Sequence, residues 1–221
     1  MESSTQRLVL ISTVTLMVLF VMGNFFLNYM EPTSAYSMNT TNQPTIGNPD
    51  SKIEVVVFVE PKCPDCKDYN NNVFPQIKKD YIDTNKIKYT VIPVSFIEGS
   101  MPAAEALLCT YYQNESEPSN RLFFAFLDYL YLNQPAEKED WATYDNLLAM
   151  AEKADPAINL AKIKRCMERH VYHTRIMQNT AEGNRVTSGK LITPAIFING
   201  EKIDGSDHDK ILKAMDQAIN K

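Results

Sequence analysis

The run Ile53–Val59 (IEVVVFV) constrains this chain most. It is a stretch of strand length made of β-branched and aromatic residues, with Glu54 its only polar member. A strand with one face in water alternates apolar and polar side chains, so a continuous run needs cover on both faces. Helices normally supply that cover, which points to an α/β domain. The rest of the sequence agrees. The segment after Cys66 places Tyr69, Val73 and Ile77 on one helical stripe, interrupted by Pro75, which should kink the helix. Lys86–Ser95 (KIKYTVIPVS) reads as a second strand. From about residue 102 to 183 the pattern is helical: AAEALLCTYY, RLFFAFLDYLYL, WATYDNLLAMAEKA and a last helix over 158–178, separated by Glu117-Pro118, Gln134-Pro135 and Asp155-Pro156. The aromatic RLFFAFLDYLYL reads as core of that block. Strand character returns at Pro194–Ile198, Asn199-Gly200 has hairpin-turn chemistry, and Lys202–Asp204 is the returning strand. Ser206 and Asp207 can cap a final helix.

The N-terminus has a different character. Leu8–Met30 contains no charged side chain, with Arg7 before it and Glu31 after it. About 20 apolar residues span a bilayer, whereas a secretory signal core is usually about 7–15. The segment reads as a signal anchor or a signal peptide, with the rest of the chain outside the cytoplasm, periplasmic or extracytoplasmic and held at the inner membrane. Residues 31–50, rich in Pro, Thr, Ser and Asn, read as a linker to a domain over 51–221. The net charge of −5, without a dense basic cluster, excludes nucleic-acid binding.

Four cysteines in an exported chain permit two disulfides. Cys63-Pro64-Asp65-Cys66 lies where the first strand meets its helix. Pro64 suits a first helical position, and the N–H groups of a helix N-terminus stabilise a thiolate. Lys62 adds a cation beside Cys63, whereas Asp65 adds a like charge that opposes the thiolate. Cys66, one turn on, can close a short, reducible disulfide with Cys63. Cys109 and Cys166 sit on separate helices of the insertion and are expected to form a structural disulfide. Cys166, His170 and His173 recur at helical spacing, but among Lys164, Arg165, Glu168 and Arg169 they read as surface residues. No metal or other cofactor is expected.

The run VVVFVEPKCPDCKDYNNNVFPQIKKDY, the helical insertion, and TPAIFINGEKIDG followed by a helix resemble the DsbA-like branch of the thioredoxin superfamily over residues 51–221. The resemblance implies a thioredoxin fold with a helical insertion. It implies Cys63 as nucleophile and Cys66 as resolving cysteine, exchanging disulfides with exported protein substrates. A membrane redox partner would recycle the dithiol. It further implies a cis Thr193-Pro194 bond beside the dithiol, whose preceding backbone pairs with substrate peptide. Many such proteins carry a buried carboxylate where this chain has Val57, and here an acid stands at Glu60 instead. Strongly oxidising relatives have histidine at the position of Asp65, and Thr193 resembles the isomerase and reductase branches. The expected potential is therefore nearer thioredoxin's, about −270 mV, than DsbA's, about −120 mV. The alternatives are a DsbA-type dithiol oxidase, a metal-binding protein or metallochaperone, and a non-catalytic binding module.

Overall fold

The computed structural model describes residues 13–23, 36–114 and 117–220. The chain divides into two units, Met1–Ser34 and Ala35–Lys221. In the first, residues 13–23 are helical, with exposed apolar side chains such as Leu16, Met17 and Phe20. Among the described residues no helix is long and apolar enough to cross a membrane. The ends of the Leu8–Met30 segment lie outside the described residues.

The second unit is built on a five-stranded sheet in the order β1-β3-β2-β4-β5, comprising β1 Thr45–Gly47, β2 Glu54–Val59, β3 Lys88–Pro93, β4 Ala195–Ile198 and β5 Glu201–Ile203. β2 runs parallel to β3, with Val57 opposite Val91, and antiparallel to β4, with Val57 opposite Ile196. Both faces of β2 are covered, as its composition requires. Val55, Val57 and Val59 belong to the main core, while Val56 and Phe58 join Ile92, Val94, Val186, Ala195 and Phe197 on the opposite face. Asn199 (φ 51°) and Gly200 (φ 81°) make the left-handed turn between β4 and β5.

After β2 the chain enters a helical run, α1, that is α-helical over Pro64–Asp68 and Phe74–Ile77 and widens to π-turns over Tyr69–Val73 and Lys78–Ile82. Pro75 has no N–H to give the preceding turn, and the turn before it is the wide one, with Phe74 N–H reaching Tyr69 O. The insertion between β3 and β4 comprises α2 Met101–Tyr111, α3 Asn120–Leu132, α4 Tyr144–Ala154, α5 Leu160–Glu168 and α6 His173–Val186. α3 buries Phe123, Phe126, Leu130 and Tyr131 completely. α7, His208–Ile219, closes the fold, with the Asp207 side chain accepting from Lys210 N–H at its start.

Two expectations need correction. Residues 31–50 are not simply a linker, because from Tyr36 onward they are packed on the domain. Tyr36 N–H donates to Gly200 O, the Gln43 amide donates to Asn179 Oδ1, and Thr45–Gly47 pairs antiparallel with β3. The expected single helix over 158–178 is two helices, broken at His170, whose φ of 50° no helix accommodates. Val171 N–H reaches back to Cys166 O across the break.

Candidate active site

Cys63 is the N-cap of α1, with extended dihedrals (φ −72°, ψ 124°), and Pro64 occupies the first turn. The strand-to-helix corner forces this geometry. Cys63 N–H donates to Glu60 O at 3.0 Å, and Cys63 O accepts the first helical bond from Lys67 N–H at 3.2 Å. Pro64 and Asp65 face solvent, whereas Cys63 is 7% exposed and Cys66 is fully buried. Both cysteines of this pair are free thiols.

Thr193-Pro194 is a cis bond, and it brings Thr193 against the dithiol, with Cys63 Sγ–H donating to Thr193 O at 3.3 Å. The Thr193 hydroxyl is buried with no hydrogen-bond partner among the described residues, and it influences both thiols. The electrostatics of the two thiols diverge. The Cys66 thiol, the Thr193 hydroxyl and the backbone N–H groups of Cys66 and Asp65 hold Cys63 down to about 6 against the cost of burial. Complete burial, reinforced by Cys63, pushes Cys66 well above the usual thiol range. At neutral pH Cys63 is the thiolate and Cys66 retains its proton. A buried sulfur beside a poised thiolate can close onto it and exchange with an incoming disulfide.

The neighbouring charges are placed differently from what the sequence suggests. The Lys62 ammonium donates to Glu98 O and Glu139 O, each at 3.1 Å, so it is engaged with the insertion. Asp65 acts on Cys63 through its backbone N–H. The Glu60 carboxylate is fully buried and accepts from Lys62 N–H, Phe96 N–H, Ile97 N–H and the Ser100 hydroxyl. Burial raises its pKa despite those donors. Glu60 therefore joins the corner before Cys63 to the 95–100 loop, and its own N–H lies 3.5 Å from Cys66 Sγ. Val57 is fully buried in β2.

Three supporting residues escaped the sequence reading. Gln134 donates to Pro61 O at 2.7 Å and accepts from Lys67 Nζ at its backbone carbonyl, clamping the insertion onto the dithiol corner. Its one sequence signal is its place before a helix-breaking proline. Ser100 holds Glu60. Gly205 lies so close to the cis-proline that a Cβ there would stand 2.3 Å from Pro194 O. Only a glycine two residues past a short strand hinted at it. Beside Thr193 and Pro194 a groove of about 440 Å³ is lined by Asp65, exposed Ile192 and the 202–206 segment.

In the insertion, Cys109 of α2 and Cys166 of α5 are bonded, with Cα atoms 5.9 Å apart. Cys166 is therefore no metal ligand. His170 and His173 do not continue its helical face, because the chain breaks between them and α5.

The Thioredoxin family model matches residues 39–220. Disulfide bond formation protein D of Bacillus subtilis is 27% identical over 178 residues, covering 80% of this chain and 77% of that protein. Among solved structures, Chlamydia trachomatis DsbA superposes with a TM-score of 0.74 at 32% identity, covering 80% of this chain and 91% of that one. Oxidised BdbD from Bacillus subtilis gives 0.75 at 25% identity, covering 85% and 98%.

Proposed function

Because the chain belongs to the Thioredoxin family and is a DsbA-like thiol–disulfide oxidoreductase, we propose that Cys63 attacks and Cys66 resolves. The observation that carries this assignment is the opposed shift of the two thiols, Cys63 down to about 6 and Cys66 well up. In the reductive direction the Cys63 thiolate attacks one sulfur of a substrate disulfide. A mixed disulfide forms and a substrate thiolate leaves. The Cys66 thiol then loses its proton to that departing thiolate and attacks Cys63 Sγ. The substrate's second sulfur departs as a thiolate, leaving a Cys63–Cys66 disulfide and a dithiol substrate. The oxidative direction is the same path reversed. The Thr193-Pro194 edge and the groove beside it hold the substrate's extended backbone, in the manner of strand addition.

The domain works outside the cytoplasm, tethered through Leu8–Met30, and a membrane redox partner returns the dithiol to its working state. Its potential lies nearer thioredoxin's than DsbA's. Relative to a thiol at 9.0, a Cys63 at about 6 stabilises the dithiol form at pH 7 by about 1.4 kcal/mol, or about 30 mV for two electrons. The same arithmetic gives roughly 100 mV for a DsbA-like cysteine near 3.5 and roughly 10 mV for a thioredoxin-like one near 7. This supports a reductase or isomerase of exported disulfides. One observation favours a weak dithiol oxidase as the second reading, namely that the Bacillus subtilis relative is named for disulfide bond formation.

Equilibration with glutathione measures the potential, and insulin reduction against oxidation of a reduced substrate gives the direction. A potential as high as DsbA's overturns the reductase reading. Cys66→Ser should accumulate mixed disulfides through Cys63, and trapping through residue 66 in Cys63→Ser instead would reverse the assignment.

A further inference from the structure

We propose that Glu105, His170 and His173 form a binding site for a first-row divalent cation of the zinc class, separate from the dithiol. Glu105 lies on α2 and is 1% exposed, so its carboxylate is a charge taken out of water. Its described partners are the two imidazoles. His170 Nδ1 lies 3.1 Å from Oε2 and 3.3 Å from Oε1, and His173 Nδ1 lies 3.3 Å from Oε1. Both histidines present the same ring nitrogen to the same carboxylate, and the three ligand atoms lie within 4.8 Å of one another. Zinc bonds of about 2.0–2.1 Å in tetrahedral geometry place neighbouring ligand atoms roughly 3.3 Å apart, close to the 3.1–3.3 Å between each imidazole nitrogen and the carboxylate. The rings stand at 85° to each other with centroids 6.0 Å apart, so they approach the carboxylate in different planes.

The fold builds this convergence on purpose-made geometry. His170 adopts the left-handed φ of 50°, which turns its ring off the α5 axis and onto α2. Cys109 follows Glu105 by one helical turn on α2, and Cys166 precedes His170 by the same interval. The Cys109–Cys166 disulfide therefore fixes the two backbones one turn from the cluster, and the ordering cost of bringing the ligands together is met in advance. Two imidazoles and one carboxylate select a borderline transition ion over calcium or magnesium, which take oxygen ligands. The histidine side chains are 60% and 50% exposed, so the remaining coordination positions open to water. The bound ion would tie α2 to the α5–α6 bend and neutralise Glu105.

The test uses the full-length, untagged chain in the Cys63→Ser/Cys66→Ser background, unreduced, so that neither the dithiol nor Cys166 competes for metal. Zinc titrated by calorimetry should bind one ion per chain and raise Tm. His173→Ala, at an exposed position that the fold tolerates, should weaken binding at least tenfold, as should Glu105→Gln. Cobalt(II) should give the visible bands of a four-coordinate site, lost in His173→Ala. His208→Ala removes the only other histidine, which pairs with Asp68, and should change nothing. No zinc binding, or binding unaffected by His170→Ala and His173→Ala, overturns the proposal and leaves the histidines as hydrogen-bond partners of Glu105.

Discussion

Replacing Cys66 with alanine removes the group that contributes most to lowering Cys63. A hydrogen bond to a charged partner is worth about 1.5–3 kcal/mol, and a thiol is a weak donor, so the lower figure applies. At 1.36 kcal/mol per unit, Cys63 should rise by about one unit, from about 6 to near 7. The thiolate fraction at pH 6 then falls from about one half to about one tenth. A more basic thiolate is also more nucleophilic, by about threefold per unit at a Brønsted slope near 0.45. The alkylation rate at pH 6 therefore drops only about twofold, too little to decide the matter. The midpoint of the pH profile decides it. Iodoacetamide rates or ultraviolet thiolate absorbance, followed from pH 4 to 9 on Cys66→Ala, should show that midpoint displaced upward by about one unit from wild type. The buried cavity left by the lost sulfur costs roughly 1–2 kcal/mol, which a folded domain tolerates. A midpoint that stays at the wild-type value would show that the helix N-terminus and Thr193 alone hold the thiolate, and the reasoning from Cys66 would fail.

The dithiol form should be pH-sensitive in a way the disulfide form is not. Cys63 is depressed in the folded state, so its contribution is full above the usual thiol value and lost as pH falls through about 6. The dithiol form should gain about 1.4 kcal/mol on the disulfide form between pH 5 and pH 7, read from paired urea midpoints; a constant gap refutes this. Cys109→Ser/Cys166→Ser opens a bridge of sequence separation 57 and should cost up to about 4 kcal/mol while sparing exchange below the melting transition. An unchanged urea midpoint would count against it. Gly205→Ala drives a Cβ into Pro194 O and should lower both stability, by roughly 1–3 kcal/mol, and kcat/KM with a peptide disulfide, through displacement of the cis-proline edge. Wild-type values for both would show that the loop yields freely.

Local chemistry made much of this protein legible from its sequence. Ile53–Val59 announced a doubly covered strand because composition alone dictates that burial. Asn199-Gly200 announced its hairpin because few other pairs accept two positive φ values. The dithiol at a strand-to-helix corner was readable because the helix terminus and Pro64 follow from residue order. The cis bond at Thr193 came from family resemblance, since nothing local distinguishes it from a trans one. What the sequence withheld depends on residues brought together from a distance. Thr45–Gly47 is too short to carry periodicity, and β3 supplies its hydrogen bonds. The break at His170 sets a strained φ against local helical propensity, and packing on α2 accompanies it. Lys62 looked like a partner for Cys63 by adjacency, but two insertion carbonyls take its ammonium. Glu60 is legible in the sequence only as an acid near the end of the first strand, and it is the 95–100 backbone that closes over it. Glu105 and His170 are 65 positions apart, in helices whose own patterns name no partner. Periodicity and turn chemistry fix which face of an element is buried, but long-range packing alone decides which charge ends up facing which.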